Sequence, residues 1–404
     1  MAKAYRIGGK QTHTRHEDDN EKKLVTIRQA INTLYFSYHR SRRAIARELG
    51  VSRTFVMRWT QSPDQDCSTD MRGWPKGVRR KWDPSVEKTI RDIHRYLKED
   101  SHQFYAGATA IAQEWRTRFP GTSLPPLRTI GKIMSDLGLT VEKPRTKRKG
   151  ASRYLCYPEH TIYNCLGKRV LEADFIGKKY ITGKTEPINF IGFSFKKEPR
   201  LRYFRRVEGQ TSAHFIRECS SFFDYFERPD CIKVDNSLAL IGSASGKRNI
   251  SKAMDFLLKH EVYPIFSVPR KPFSQASIEG NNSVFSRKFW NRITFSSLEE
   301  IDEKLGWFNK ASLRYTGYQP CSDEKNNAFI PKVYFIRQVK EDQATKDGYI
   351  DVLNEKVRTP SPYINYFVLA EWNVTDEHLT VYFEKDRILE TIEQVTFLVN
   401  TKLK

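Results

Sequence analysis

Cysteine is scarce in this sequence, long apolar runs are absent, and acidic side chains are outnumbered by basic ones. The six cysteines among 404 residues include no CxxC pair, which excludes a disulfide-rich scaffold and argues against a zinc site. No apolar run approaches the ~18 residues of a membrane span, and the basic N-terminus lacks the apolar stretch of a secretion signal. We therefore expect no membrane partner and a cytoplasmic location, associated with the nucleoid if the host is prokaryotic.

The excess of positive charge is concentrated in the first three quarters of the chain. Lys and Arg number 69 against 48 Asp and Glu, for a net charge of +21. Residues 1–150 carry a net +15, residues 151–300 a net +8 and residues 301–404 a net −2. This distribution favours a polyanion such as nucleic acid as the partner. The alternative is a basic protein without such a partner.

Changes of residue pattern along the chain predict a multidomain fold. Apolar residues at helical spacing dominate the first third, strands alternating with helices follow, and short alternating strands end the chain. The expected fold class is N-terminal all-α helix-turn-helix units, a central α/β core with a mixed sheet, and a small C-terminal β-barrel. The predicted parts are helix-turn-helix domains at 1–62 and 84–142, a linker at 63–83, a basic linker at 143–155, the α/β core at 156–318 and the barrel at 319–404.

Residues 41–60 have the pattern of a helix-turn-helix unit. Two short amphipathic segments flank a turn in which Gly50 can adopt positive φ and Ser52 can cap the second helix. The outward side chains of that second helix, which are predicted to bind DNA in the major groove, are Arg53, Thr54 and Arg58. A plain three-helix bundle is the alternative, and the basic outer faces favour DNA binding over it.

A second unit of this kind is predicted within residues 84–139. Two consecutive prolines at 125 and 126 precede a helical pattern that ends at Gly138. Its outward polar side chains, also predicted to contact DNA, are Arg128, Thr129 and Lys132. Two such units joined by a linker could bind in successive grooves of one DNA segment.

Basic side chains outside these two units are further predicted DNA contacts. The low-apolar stretch 143–153 is expected to lie along phosphates, with a solvated tether as the alternative. Residues 240–249 are rich in Ser and Gly and are predicted to form a mobile loop. The predicted contacts in these segments and in the Pro-containing loop at 268–272 are Lys147, Arg148, Lys149, Lys247, Arg248, Arg270 and Lys271.

Three carboxylates in the α/β core are candidates for metal binding. Asp174 lies inside an apolar strand, Asp235 ends a short buried strand, and Glu279 lies about one turn into a helix. By pattern alone each is more often a capping or salt-bridged residue. At one sheet edge, however, they would form an oxygen-rich site for two Mg²⁺ or Mn²⁺ ions, suited to phosphoryl transfer. Glu172, on the strand face of Asp174, is expected to form a salt bridge, with a fourth acidic contact as the alternative.

Three sequence segments surround these carboxylates: LEADFIG, CIKVDNS and VPRKPFSQASIEGNNSVF. They resemble the signatures of the DDE integrase core, which retroviral integrases share with many bacterial insertion-sequence transposases. The resemblance covers about residues 168–318 and implies an RNase H-like fold for the core. It also implies that Asp174, Asp235 and Glu279 are the catalytic metal ligands, with Asn282 as an auxiliary polar contact. Insertion-sequence members of the family often carry N-terminal helix-turn-helix units and a small C-terminal β-barrel.

The chain departs from the best-known family members in two respects. Forty-three residues separate Asp235 from Glu279, a longer interval than in those members, and the surplus coincides with the Ser/Gly-rich stretch 240–249. The zinc-binding His/His/Cys/Cys module of retroviral integrases is absent, because His13 and His16 have no cysteine pair nearby. The transposase branch is therefore the better analogy.

The resemblance, taken together with these patterns, implies a DDE transposase that cleaves DNA at the ends of a mobile element and joins them to target DNA. Joining two ends requires at least two protomers, so a homo-oligomer on double-stranded DNA is expected, and an ATPase helper protein is left open. One alternative is a catalytically inactive DNA-binding regulator derived from a transposase. Others are a tyrosine or serine recombinase, disfavoured because no Arg/His cluster could activate a tyrosine, and a structure-specific nuclease.

Overall fold

The chain folds into two compact units, Met1–Pro84 and Ser85–Lys404. The structure, a computed structural model, describes residues 13–68, 82, 84–100, 102–140, 157–167, 169–320 and 328–400, with the side chains of 13–22, 272 and 273 left out. None of the helices in these ranges is both long and apolar enough to cross a membrane.

The N-terminal unit is helical. Its elements are α1 (His13–Phe36), α2 (Arg42–Glu48) and α3 (Arg53–Arg58). Apolar side chains from all three helices and from the segment after α3 bury one another, which gives the unit a core of its own. The fully buried members of this core are Ile31, Ile45, Val56, Trp59 and Cys67.

The connection between α2 and α3 follows the predicted pattern. Gly50 has φ +64°, in the region that favours glycine. The Ser52 side chain accepts a hydrogen bond from the backbone N–H of Phe55 at 3.1 Å, and so caps α3. The turn and the cap predicted from the sequence are therefore confirmed.

The second unit combines helices with strands. Its described helices are α4 (Pro84–Glu99), α5 (Ala108–Arg118), α6 (Leu127–Asp136), α7 (Ser212–Tyr225), α8 (Leu238–Ile241), α9 (Lys252–Lys259), α10 (Ala276–Phe285) and α11 (Leu298–Thr316). Its described strands are β1 (Val170–Lys179), β2 (Ile188–Phe195), β3 (Leu201–Val207), β4 (Cys231–Val234), β5 (Tyr263–Phe266), β6 (Lys332–Gln338), β7 (Lys340–Glu341), β8 (Gly348–Val352), β9 (Glu355–Thr359), β10 (Phe367–Asn373), β11 (His378–Lys385) and β12 (Ile388–Thr396). Short π-helical turns occur at Thr161–Cys165 and Ser286–Trp290.

A nine-stranded mixed sheet runs through the second unit in the order β12-β11-β10-β6-β5-β4-β1-β2-β3. The strands from β6 to β1 are parallel to one another, whereas those at both ends of the sheet are antiparallel. Strands β7, β8 and β9 form a separate antiparallel sheet. A mixed sheet with helices on its faces was predicted, and this coarse architecture is confirmed.

Strand β2 is buried along its whole length because both faces of the sheet are covered. Phe190 contacts Phe285 and Trp290 of the segment that begins with α10. Phe193, which points to the opposite face, packs against Phe222 of α7. The aromatic side chains that follow the period-two alternation of the strand therefore anchor α10 on one face and α7 on the other.

The C-terminal strands do not form the separate small barrel predicted for residues 319–404. Strand β6 pairs in parallel with β5 through Ile265–Tyr334 and Phe266–Phe335, and β10, β11 and β12 continue the sheet from there. Local alternation correctly predicts short strands, but it carries no information on pairing with a strand about 70 residues earlier. The predicted barrel is thus corrected to an extension of the central sheet.

Helices α4–α6 pack against the same core. The hydroxyl of Tyr105 lies 2.9 Å from that of Ser312 in α11, and the Tyr105 ring stacks on Tyr315 at 4.3 Å between centroids. Glu114 forms an ion pair with Arg314 at 2.9 Å. Apolar side chains of α4–α6 and of α10–α11 belong to one buried cluster.

Candidate functional site

Two of the three candidate carboxylates lie side by side at the centre of the sheet. Strands β1 and β4 are parallel, with Glu172 opposite Lys233. The same register continued by two residues places Asp174 beside Asp235, and neighbouring strands lie ~4.8 Å apart. Since side chains alternate along a strand, Asp174 shares a face with Glu172, and Asp235 shares that face with Lys233.

Glu279 comes to this face from helix α10. It lies in the first turn of the helix and is exposed. One turn later, the Asn282 side-chain Nδ2 donates a hydrogen bond to Asp174 Oδ2 at 2.9 Å. The contact joins α10 directly to the β1 carboxylate and places Asn282 as predicted from the resemblance.

The acidic surroundings alter the ionisation of Asp174. Burial raises the pKa of its carboxyl from the ordinary 3.8 to about 7, and the charges of Asp235 and Glu279 add to the rise. The hydrogen bond from Asn282 opposes it. Asp235 and Glu279 therefore both act on Asp174, and Asp235 acts more strongly than Glu279.

A buried polar network lies next to the candidate site. Glu172 and Lys233 form an ion pair at 3.3 Å and are 1% and 2% exposed. The Tyr163 hydroxyl donates to Glu172 and accepts from Lys233, the latter at 3.0 Å. The other Glu172 oxygen accepts the backbone N–H of Ile278 at 2.8 Å, directly before Glu279. The predicted salt bridge of Glu172 is therefore confirmed, and it also fixes the start of α10.

Sequence reasoning missed Lys233 and Tyr163. Lys233 has a detectable signal, because a charged residue between apolar neighbours of a buried strand needs a partner, by the argument that singled out Asp174. Tyr163 has no such signal, since its partners Glu172 and Lys233 lie 9 and 70 residues away in the sequence, beyond any local pattern.

The donor atoms suit a hard divalent cation, although they do not enclose one. Carboxylate and amide oxygens of Asp174, Asp235, Glu279 and Asn282 are the ligand types that Mg²⁺ and Mn²⁺ prefer. Within the described ranges, no three carboxyl, imidazole or thiol side chains are grouped closely enough to hold a metal ion. The chemistry of the residues therefore fits the predicted ions, and Asp174 and Asp235 are the two neighbouring members of the proposed ligand set.

An open cleft of about 430 Å³ begins at Asp235. Arg270 and Lys271 line it and are exposed, as predicted for residues that contact DNA. Two other polar atoms of its wall, Ser237 Oγ and Gln275 Nε2, are buried and have no hydrogen-bond partner among the described residues. The cleft thus offers positive charge and unused polar atoms next to a candidate metal ligand.

The predicted contacts of the helical segments are mostly accessible. Arg53 and Thr54 at the start of α3 are exposed, and Arg58 is half-buried. In the second unit, Arg128 and Lys132 of α6 are exposed, whereas Thr129 is half-buried. Eight residues, 119–126, connect α5 to α6, a longer link than the short turn between α2 and α3. DNA binding by either segment stays a prediction.

The loop at 240–249 is held by the C-terminal strands. The Arg248 N–H donates to Leu353 O at 3.2 Å, and Asn354 Nδ2 donates to Gly246 O at 2.9 Å. Lys247 and Arg248 lie 3.7 and 3.9 Å from the Glu355 carboxylate. These contacts tie the loop to β9 and its preceding turn, and its mobility stays a prediction. Lys147, Arg148 and Lys149 lie outside the described residues.

The comparison with solved structures found weak similarity. No family model matches the chain, and no curated protein matches it. A solved structure described as the cryoEM structure of simian T-cell lymphotropic virus intasome in complex with PP2A regulatory subunit B56 gamma aligns with 75% of this chain and 95% of its own. The aligned chains are 12% identical and the TM-score is 0.31.

Proposed function

We propose that the protein is a metal-dependent DNA transposase of the DDE type, which cleaves DNA at the ends of a mobile element and joins those ends to target DNA. The observation that carries the proposal is the hydrogen bond from Asn282 to Asp174, which joins the helix that carries Glu279 to β1, the strand parallel to β4, which Asp235 directly follows. Three antiparallel strands followed by two parallel ones, β3-β2-β1-β4-β5, are also consistent with the RNase H-like fold that the resemblance implies.

The three carboxylates would hold two Mg²⁺ or Mn²⁺ ions, which supply charge stabilisation for the attacking and leaving oxygens of an in-line phosphoryl transfer. Asp174, whose pKa is raised to about 7, would release its proton on becoming a ligand. Asn282 orients the Asp174 carboxylate through its hydrogen bond. Glu279 is exposed, so its side chain is free to turn toward the aspartates.

DNA would lie across the cleft beside Asp235. Arg270 and Lys271 are placed to contact the phosphate backbone there, and Gln275 and Ser237 offer unpaired polar atoms. The exposed Arg53 and Thr54 at the start of α3 would recognise the base sequence at the ends of the mobile element. Because two ends must be joined in one event, we propose that the protein acts as a homo-oligomer assembled on double-stranded DNA.

Removal of one carboxylate tests the catalytic part of this proposal. Asp174→Asn should abolish Mn²⁺-dependent joining of labelled end oligonucleotides and leave their binding within about threefold of the unchanged protein, because the substitution removes a proposed metal ligand and leaves the residues of α3 unchanged. Asp224→Asn, an exposed carboxylate of α7, is the matched control and should retain joining. Joining that persists in Asp174→Asn, or in EDTA, contradicts the assignment.

A DNA-binding regulator with an inactive core is the second candidate. It is favoured by the finding that no three potential ligands in the described chain enclose an ion. The same assay separates the two functions: a regulator binds the end oligonucleotides and leaves them intact with either Mg²⁺ or Mn²⁺.

A further inference from the structure

Arg337 of β6 is a buried guanidinium that reaches the loops beside the candidate site. It is 5% exposed, and burial lowers its pKa to about 9, so it stays charged at neutral pH. Its Nε donates to Asp351 O at 2.7 Å, Nη1 to Ser267 O at 3.1 Å and to Ile336 O at 2.9 Å, and Nη2 to Asn236 Oδ1 at 2.9 Å. All four acceptors are neutral, whereas the Asp351 carboxylate pairs with Lys340 at 2.6 Å.

Two of these acceptors belong to the loops that frame the site. Asn236 directly follows Asp235, and Ser267 directly follows β5, at the start of the segment that leads into α10. Asn236 Nδ2 also donates to Ser267 O at 2.6 Å, and the Ser267 N–H donates to Val234 O at 2.9 Å. Arg337, Asn236 and Ser267 thus form a closed set of hydrogen bonds that fixes the backbone at Asp235.

The fork of the guanidinium explains why arginine stands here. Its planar donors reach Ser267 and Asn236 at the same time, which the single ammonium of a lysine could not do with the same geometry. A structural ion pair would place a carboxylate opposite this charge. Its acceptors are instead carbonyl oxygens from three separate segments, so the guanidinium of Arg337 links these segments to one another.

We propose that Arg337 is a positioning residue for Asp235, through which the C-terminal strands hold that carboxylate in place for divalent-metal binding. The proposal rests on the proposed function of the site. It gives the strands after β5 a role in catalysis in addition to their role in extending the sheet. Partners that orient metal ligands typically change metal affinity or activity 10–100-fold when they are removed.

Mn²⁺ binding in the absence of DNA, followed by electron paramagnetic resonance, tests the proposal on the full chain. Arg337→Met should weaken Mn²⁺ binding on the order of 10-fold or more and lower kcat for joining, while KM for the DNA stays unchanged. Arg337→Lys should recover part of the binding, because it keeps the charge and one of the donors. Lys332→Met is the matched control: it removes a cation from the same strand, but one that pairs with Glu371 at 2.8 Å, so Mn²⁺ binding should stay unchanged.

Asn236→Ala keeps the test decisive if Arg337→Met does not fold. It removes the acceptor next to Asp235 and leaves the other three hydrogen bonds of Arg337 in place. Mn²⁺ binding within twofold of the unchanged protein, in a folded Arg337→Met or in Asn236→Ala, overturns the positioning role alone. Asp235→Asn measured in parallel should lose Mn²⁺ binding; if it binds as tightly as the unchanged protein, both the proposed function and the positioning role are wrong.

Discussion

At the scale of single residues, Asp174 combines a half-buried carboxyl with two acidic neighbours. Such a group keeps its proton to a higher pH than an ordinary carboxyl, unless a cation takes the place of the proton. An isolated carboxylate inside a sheet lowers the stability of the folded chain. A metal ligand, in contrast, needs to be deprotonated only when the metal binds. The raised pKa of Asp174 to about 7 is therefore consistent with the proposed role of this carboxyl as a metal ligand.

This ionisation makes the stability of the metal-free protein depend on pH. The pKa of Asp174 is about 7 in the folded chain and 3.8 ordinarily, so the folded state binds more protons between these values and loses stability as pH rises from about 4 to 7. Asp174→Asn lacks this loss. We expect its advantage in unfolding free energy to grow across that window, to at most about 4 kcal/mol, in urea unfolding at pH 5 and pH 8 with EDTA. An equal advantage at both pH values contradicts the raised pKa.

At the scale of elements, helix α10 lies close to the sheet because β2 carries a glycine opposite Asp174. Gly192 pairs with Asp174 across the β1–β2 ladder. A Cβ added at Gly192 would lie 3.0 Å from the Phe204 ring and 3.1 Å from Asn282 Oδ1. Since Phe204 is fully buried, it has little room to move aside. The missing side chain thus allows Asn282 to reach Asp174.

Gly192→Ala should therefore disturb the site more than the fold. We expect an overpacking cost of about 1–3 kcal/mol, with α10 displaced and Mn²⁺-dependent joining reduced at least tenfold, since the Asn282–Asp174 hydrogen bond is strained. Gly177→Ala on β1 is the control, because a Cβ there meets nothing within 4 Å. Thermal unfolding and joining assays on both variants measure the two effects. Full joining activity in Gly192→Ala would show that the close approach of α10 is dispensable.

The same scale shows what the sequence can predict. Ser52 caps α3, as predicted from the local pattern, and Asp235 directly follows β4, as expected for a ligand at a strand end. These features follow from local patterns. Arg337 could not be found in this way, because its partner Asn236 lies 101 residues earlier and only the β5–β6 pairing brings the two together. The grouping proposed for the three carboxylates rests on the resemblance, and not on periodicity.

At the scale of the whole molecule, the charge distribution and the sheet divide the chain differently. Residues 301–404 carry a net charge of −2 while the first 300 residues carry the positive charge, which suggests a separate part without a role in DNA binding. The sheet, however, continues from β5 into β6 and on to β12. The near-neutral segment is therefore a structural extension of the basic core, since the central parallel strands need a partner on both sides.

Deletion of the C-terminal strands distinguishes a shared sheet from an independent domain. A chain ending at residue 320 lacks β6, so β5 becomes an edge strand and Phe266 loses the stacked Phe335 ring, 5.3 Å away between centroids. We expect this fragment to aggregate or to elute as large species in size-exclusion chromatography, because an exposed edge of buried, apolar strands pairs with other chains. A matched deletion of residues 1–84 removes the N-terminal unit, which has its own core, and should leave a monodisperse protein with cooperative thermal unfolding. A monodisperse, cooperatively unfolding 1–320 fragment would instead mean that the strands after β5 form an independent domain, and Arg337 could then have no part in holding Asp235.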